Sequence, residues 1–186
     1  MAEAFKHLIN ANTAVHAAEH FAQAWRGFDR QTFVAMATGN MDELAFKARA
    51  MQWADALEMC LPTDFDTAAG VIETSLAPAL AMDDKGEPVG LADALGAEGL
   101  SGWALWGTAE FVARRGQQDV PRALRCLHAI TQRFTAEFAI RPFLARCPEQ
   151  VYPVLTQWVQ DPSAHVRRLA SEGARPRLPW GLRLQA

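Results

Sequence analysis

Apolar residues recur at three- and four-residue steps along most of this chain, the spacing that gathers them on one face of an α-helix. Val15, Ala18, Phe21, Ala22 and Trp25 form one such stripe, and Asn12 or Thr13 is placed to cap the helix that carries it. Asp29 precedes a second stripe of Phe33, Val34 and Ala37. A longer helix is expected over 41–60, where Leu44, Ala48, Met51, Ala54, Ala56, Leu57 and Cys60 line one side and Pro62 ends it. Asp64 opens another, through Val71 and Ile72 to Leu76, stopped by Pro78.

The same period returns at 103–115, at 120–134 behind Asp119 with Pro121 in the first turn, at 136–146, at 148–160 and at 163–172. No alternating β-branched run exceeds four residues, so strands are not expected. Between the two helical stretches, residues 82–102 hold five glycines and a proline and read as a loop or linker. The expected organisation is an N-terminal helical region over 1–80, a linker over 81–102 and helical repeats over 103–186, in one continuous α-solenoid domain.

Short helices joined by short turns suit either a bundle or a stack of helical pairs. The C-terminal stretch favours the stack. A helix, an Asp161-Pro162 corner and a helix carrying Val166-Arg167 follow the grammar of HEAT repeats, and Ile140-Arg141-Pro142-Phe143 is echoed by Val166-Arg167-Arg168-Leu169. The expected fold class is therefore all-α, a right-handed solenoid or superhelix of HEAT-like helical repeats.

At 186 residues and 50% hydrophobic content the chain can bury a sizeable core. No stretch approaches the roughly 18 apolar residues of a membrane span, and the N-terminus lacks a basic-then-apolar leader pattern, so no membrane partner is expected and the cytoplasm is the expected compartment. Cys60, Cys126 and Cys147 contain no CxxC pair and read as buried free thiols.

Charge changes the picture more. The net charge is -3, but residues 1–110 carry six basic and sixteen acidic side chains, whereas residues 111–186 carry twelve arginines, no lysine and five acids. Such asymmetry points to a polyanion partner for the basic half, and exclusive use of arginine sharpens it, because the guanidinium fork fits phosphate oxygens bidentately. Arg114, Arg115, Arg122, Arg125 and Arg133 read as exposed helix faces open to phosphate.

Four constellations carry candidate chemistry. His16, Glu19 and His20 spell H-x-x-E-H on a helix, the arrangement zinc peptidases use, yet no distant acidic ligand accompanies them and no metal site is expected. Trp103 and Trp106, three residues apart, read as core, as do Tyr152 and Trp158. Glu137 in FTAEFAIRPFL and Glu172, with Trp180, in SEGARPRLPW place carboxylates beside arginines at corresponding ends of consecutive helical units. In a stack of helical pairs the two glutamates can converge on one concave surface; alternatively each simply pairs with Arg141, Arg168 or Arg175.

These strings, FTAEFAIRPFL followed by DPSAHVRRLASEGARPRLPW, resemble the AlkC branch of the DNA alkylation repair glycosylases, which are built from HEAT-like repeats. GFDRQTFVAMA and LAFKARAMQWADALEMCLPTDF in the front half are similar to that family too. The resemblance implies an N-glycosylase that removes small cationic alkylated bases, such as 3-methyladenine and 3-methylcytosine, from duplex DNA without swinging the nucleotide into a deep pocket. It implies catalytic roles for Glu137 and Glu172, an aromatic contact from Trp180 to the lesion's sugar, and DNA-backbone contacts from Arg141, Arg167, Arg168, Arg175 and Arg177. Duplex DNA containing alkylated bases is then the partner, with the protein on the nucleoid and with no cofactor or obligatory protein partner. Members of that family continue for further repeats, whereas this chain stops six residues after Trp180, so the C-terminal repeats are expected to be missing. The rival expectation is a non-catalytic helical-repeat module that binds DNA or protein, and a metallopeptidase at His16, Glu19 and His20 is a third.

Overall fold

The computed structural model describes residues 7–85, 88–89 and 98–185. Among the described residues all regular elements are helical, in the order α1 (Ala11–Ala24), α2 (Arg30–Thr38), α3 (Phe46–Cys60), α4 (Phe65–Ser75), α5 (Ala104–Arg115), α6 (Val120–Thr131), α7 (Glu137–Arg146), α8 (Pro148–Trp158) and α9 (Ala164–Gly173). No helix among them is long and apolar enough to cross a membrane.

Local chemistry sets most of these boundaries. The side chains of Asp29, Asp64 and Asp119 accept from the backbone N–H groups of Thr32, Thr67 and Arg122, satisfying donors that the first turns of α2, α4 and α6 leave open. α1 starts earlier than expected because Asn10, not Asn12 or Thr13, is its cap: the Asn10 amide oxygen accepts from the Thr13 N–H at 3.0 Å. The single helix expected over 41–60 is broken. Asn40 takes a left-handed conformation (φ 51°), Met41–Glu43 make one 3-10 turn, and Leu44 is extended. The break turns the Leu44 carbonyl towards Arg49, a buried arginine that also donates to the Ile9 carbonyl at 2.9 Å.

The helices stack in two layers. α2, α3, α5, α7 and α9 contact one another in succession in the first, and α1, α4, α6 and α8 do so in the second. This is the helical-repeat solenoid expected from the corner grammar of the tail. One continuous apolar cluster, from Ile9 to Leu184, lies between the layers and includes Phe33, Trp53, Trp106, Leu127, Ile140 and Val166. Trp103 packs against this cluster and Trp158 belongs to it, whereas Tyr152 is half-exposed. Cys60 and Cys126 are buried free thiols, and burial pushes Cys126 far above the ordinary thiol range.

The expected linker lies partly outside the described residues, at 86–87 and 90–97. Its described ends are docked rather than free. Ala77 and Leu100 exchange bonds across a short parallel bridge, with Leu100 donating to Ser75, and Leu80 and Gly102 donate to the Gln132 and Arg133 carbonyls at the end of α6. Several arginines expected on open faces tie helices together instead. Arg122 is buried between Asp66 and Glu73 of α4 at 2.5 and 2.6 Å; Arg114 joins Asp55 and Glu58 of α3 to Glu110; Arg115 donates to the Thr63 carbonyl, and Arg133 to the Ala77 carbonyl. A guanidinium reaching two or three acceptors at once suits such cross-links, so these residues are spent within the fold. Arg125 is exposed.

Close approach of α3 and α5 requires Gly107. A Cβ there would sit 2.7 Å from the Ala50 carbonyl oxygen and 2.6 Å from the Trp53 Cβ, atoms too close to the backbone to swing away. Gly107→Ala is therefore expected to lower stability by about 1–3 kcal/mol, read as a lower urea midpoint at unchanged slope. An unchanged midpoint would show that the two helices separate without penalty.

Candidate functional site

The seam between α7 and α9 brings the sequence-derived site residues into one register. Glu137 is the first residue of α7, at the helix end whose unpaired N–H groups favour a negative charge. Its side chain is only 7% exposed, and Oε1 lies 3.4 Å from Nε of Arg168 on α9. That contact is electrostatic only, since Oε1 is buried without a hydrogen-bond partner among the described residues. An unbonded buried carboxylate oxygen is costly and uncommon. The carboxylate lines a cavity of about 70 Å³ together with Thr131, Phe134, Thr135, His165 and Arg168, roofed by Leu80 and Pro88, large enough to admit water.

Arg168 and Glu172 are four residues apart and share a face of α9. Glu172 is more open than Glu137, at 29% side-chain exposure, and accepts from Arg175 Nη1 at 2.8 Å. α7 and α9 run in the same direction: Arg168 meets Glu137, and Gly173 meets Ile140 so closely that a Cβ would come within 2.8 Å of it. Glu172 therefore lies about one helical turn beyond Glu137 along adjacent, parallel helices. Both structural pairings anticipated for the glutamates occur, but Glu137 makes its pairing with Arg168 imperfectly.

Trp180 belongs to a segment, residues 174–185, that folds back across the first layer. Leu178 to Gly181 form a turn closed by the Gly181 N–H on the Leu178 carbonyl (3.1 Å), with Pro179 at the second position and Trp180 at the third. Trp180 has φ 64°, a left-handed conformation that a bulky residue rarely adopts. Its indole stacks on Trp106 (centroids 5.8 Å apart, 22° between planes) and meets Phe46 edge-on, while the Lys47 ammonium donates to its carbonyl at 2.9 Å. The ring keeps 53% of its surface open. Trp180 thus stands over α3 and α5, beside the glutamate seam.

The arginines divide by exposure. Arg168, Arg175 and Arg177 are exposed, and Arg167 is exposed while donating to the Asp161 and Pro162 carbonyls at 2.8 and 3.0 Å, which braces the corner before α9. Arg141 corrects the expectation of a DNA-backbone contact. It is fully buried, and its guanidinium donates to the main-chain carbonyls of Gly173, Arg175, Pro176 and Leu182. Burial pulls its guanidinium below the ordinary arginine range.

His16 and His20 stand apart from this region on α1, with their Nε2 atoms 3.1 Å from each other. Burial, then the neighbouring His16, lowers the His20 pKa. No group of three or more metal-ligating side chains occurs among the described residues. The sequence reading missed Phe46, Lys47, Thr131, Thr135 and His165. Only His165, three residues before Arg168 on the same helix, carried a usable signal; its Nε2 bonds the Leu80 carbonyl at 2.9 Å and pins the cavity's roof.

No protein-family model matches the chain. The uncharacterized protein YhaZ of Bacillus subtilis (strain 168) is 42% identical over 89 residues, which is 48% of this chain and 24% of that protein. Among solved structures, the Pseudomonas fluorescens alkylpurine DNA glycosylase AlkC bound to DNA containing an abasic site analog is similar to 97% of this chain, with a TM-score of 0.78 and 29% sequence identity. The chain spans 45% of that protein's length. The fold described above is thus an AlkC-like, all-helical repeat fold.

Proposed function

We propose that this chain is the glutamate-bearing part of a DNA glycosylase for alkylated bases. The observation that carries this reading is the buried Glu137 carboxylate, with one oxygen unbonded in a water-sized cavity and Glu172 one turn away, on a fold similar to that of a DNA-bound alkylpurine glycosylase.

A base alkylated on a ring nitrogen is already positively charged, so it leaves with the glycosidic electron pair and needs little protonation. The sugar then carries the developing cation. Water must add at C1′ and lose a proton, so the reaction balances as a hydrolysis without any cofactor. Glu137 suits the water: its unbonded oxygen can accept a proton from a molecule in the cavity. Glu172, held by Arg175, suits the role of a fixed negative charge beside the sugar cation. The half-open indole of Trp180 offers its face to the deoxyribose.

Arg167, Arg168, Arg175 and Arg177 would bind the flanking phosphates, all four being solvent-exposed on α9 and the segment after it. In this reading the lesion is a small cationic base of the 3-methyladenine or 3-methylcytosine class, handled in the duplex without extrusion into a pocket. The enclosed space beside Glu137, about 70 Å³, is too small for a base.

Glu172→Gln should reduce release of 3-methyladenine from methylated duplex DNA by about 10²–10⁴-fold while leaving DNA affinity intact or higher, since a negative charge facing phosphate is removed. Release at the wild-type rate would withdraw Glu172 from the chemistry, and affinity without release in the wild-type chain would favour a non-catalytic binding module. Separately, Arg177→Ala should weaken duplex binding regardless of sequence and lower the slope of log affinity against log salt by roughly 1. A titration series between low and moderate salt measures this, and an unchanged slope would remove Arg177 from the phosphate contacts.

A further inference from the structure

We infer that Arg141 is a positioning residue whose buried guanidinium sets where Glu172 and Trp180 stand relative to each other. Nη1 donates to the carbonyls of Gly173 and Arg175 at 2.8 Å, immediately after Glu172. Nη2 donates to the Pro176 carbonyl at 3.2 Å, and Nε donates to the Leu182 carbonyl, two residues beyond Trp180. One planar group therefore holds both ends of the segment that carries the tryptophan. The segment also closes on itself, the Leu184 N–H donating to the Pro176 carbonyl at 3.1 Å.

Two further features show how tightly this clamp is drawn. The backbone at Gly181 runs so close over the arginine that a Cβ would lie 3.0 Å from Arg141 Cδ and 3.1 Å from Nε. Trp180, next to it, holds φ 64°. A strained residue persists only where its surroundings over-determine it. Here those surroundings are Arg141 on one side and Lys47, Trp106 and Phe46 on the other.

Arg141 also starts from the right place, one turn after Glu137 on the same helix, so the clamp links the helix of one glutamate to the backbone beside the other. A lysine could not do this, because an ammonium is a single point of charge whereas the guanidinium presents five donors in a fixed plane. The consequence for excision rests on the glycosylase reading; the clamp itself does not.

The test separates the two. Trypsin can cut the segment after Arg177 and Arg183, while Arg175 is shielded by the following proline. In folded Arg141→Met and Arg141→Lys variants, cleavage at those two bonds should quicken at least ~10-fold, with cleavage after Arg125, in the middle of α6, unchanged as a monitor of global opening. Should Arg141→Met fail to fold, Gly181→Ala presses on the same contact from the segment's side and should give the same selective release. Wild-type cleavage rates in the folded variants would overturn the clamp, whatever the protein's activity.

On methylated duplex DNA, a released segment should lower the single-turnover excision rate by about 10²-fold while affinity holds, because the exposed arginines are untouched. Wild-type excision by a variant with a released segment would overturn the positioning role. Absence of excision by the wild-type chain would instead sink the glycosylase reading and leave the clamp to be decided by proteolysis alone.

Discussion

The last carbonyls of an α-helix have no partner within it, and at the end of α9 they face the interior, where each unbonded one costs about 1–3 kcal/mol. Arg141 meets that constraint. A cation is favoured at a helix C-terminus, and this one reaches the Gly173 carbonyl, then two carbonyls just past the helix, then one on the returning segment. Its burial is possible because Gly173 lets α9 close against Ile140 of α7. The register of the two helices, the path of residues 174–185 and the place of Trp180 all follow from that one contact.

The same economy explains the charge asymmetry. Much of the excess acid in the first half meets arginines from the second inside the molecule: Asp66 and Glu73 meet Arg122, and Asp55 and Glu58 meet Arg114. These pairs join successive helices of each layer, α4 to α6 and α3 to α5. Arg115, Arg133 and Arg141 are bonded to carbonyls of other segments. What is left facing solvent is concentrated at α9 and after it, in Arg167, Arg168, Arg175, Arg177 and Arg183. Positive charge is therefore offered where the glutamate seam opens and is neutralised elsewhere, a sharper partition than the overall count suggests.

Most of the helices were legible because their signals are local. Asp29, Asp64 and Asp119 announce helix starts through bonds three residues away, and the apolar stripes follow a fixed period. The stack of pairs was legible from the Asp161-Pro162 corner. What escaped was set by distant partners. The break at Leu44 serves Arg49, which reaches Ile9 forty residues away in sequence, and nothing near Leu44 signals it. The docking of residues 77–80 and 100–102 depends on the end of α6. Arg141 looked like a surface arginine because buried and exposed arginines have the same local sequence; its burial needs four carbonyls from a segment that comes over thirty residues later. The turn at Trp180 was hidden for a related reason, since its third position favours glycine or asparagine and a tryptophan there reads as extended chain.

The two glutamates were recognised as a pair, yet their surroundings make them unlike. Glu137 is buried beside threonines, a phenylalanine and a histidine, and its nearest cation is too far and too poorly aimed to bond it. Glu172 is partly open and already bonded at 2.8 Å by an arginine three residues on. A carboxylate with an idle lone pair in a closed space can take part in proton transfer, because nothing has to be broken first. One that is held by a guanidinium is better fitted to present a charge that does not move. In the proposed hydrolysis both are needed, since a cation forms on the sugar before water can close on it. Exchanging the two environments would put the fixed charge where the water must enter and the free acceptor where bulk solvent competes for it. The division of labour therefore follows from burial and bonding rather than from residue type, which is the same at both positions.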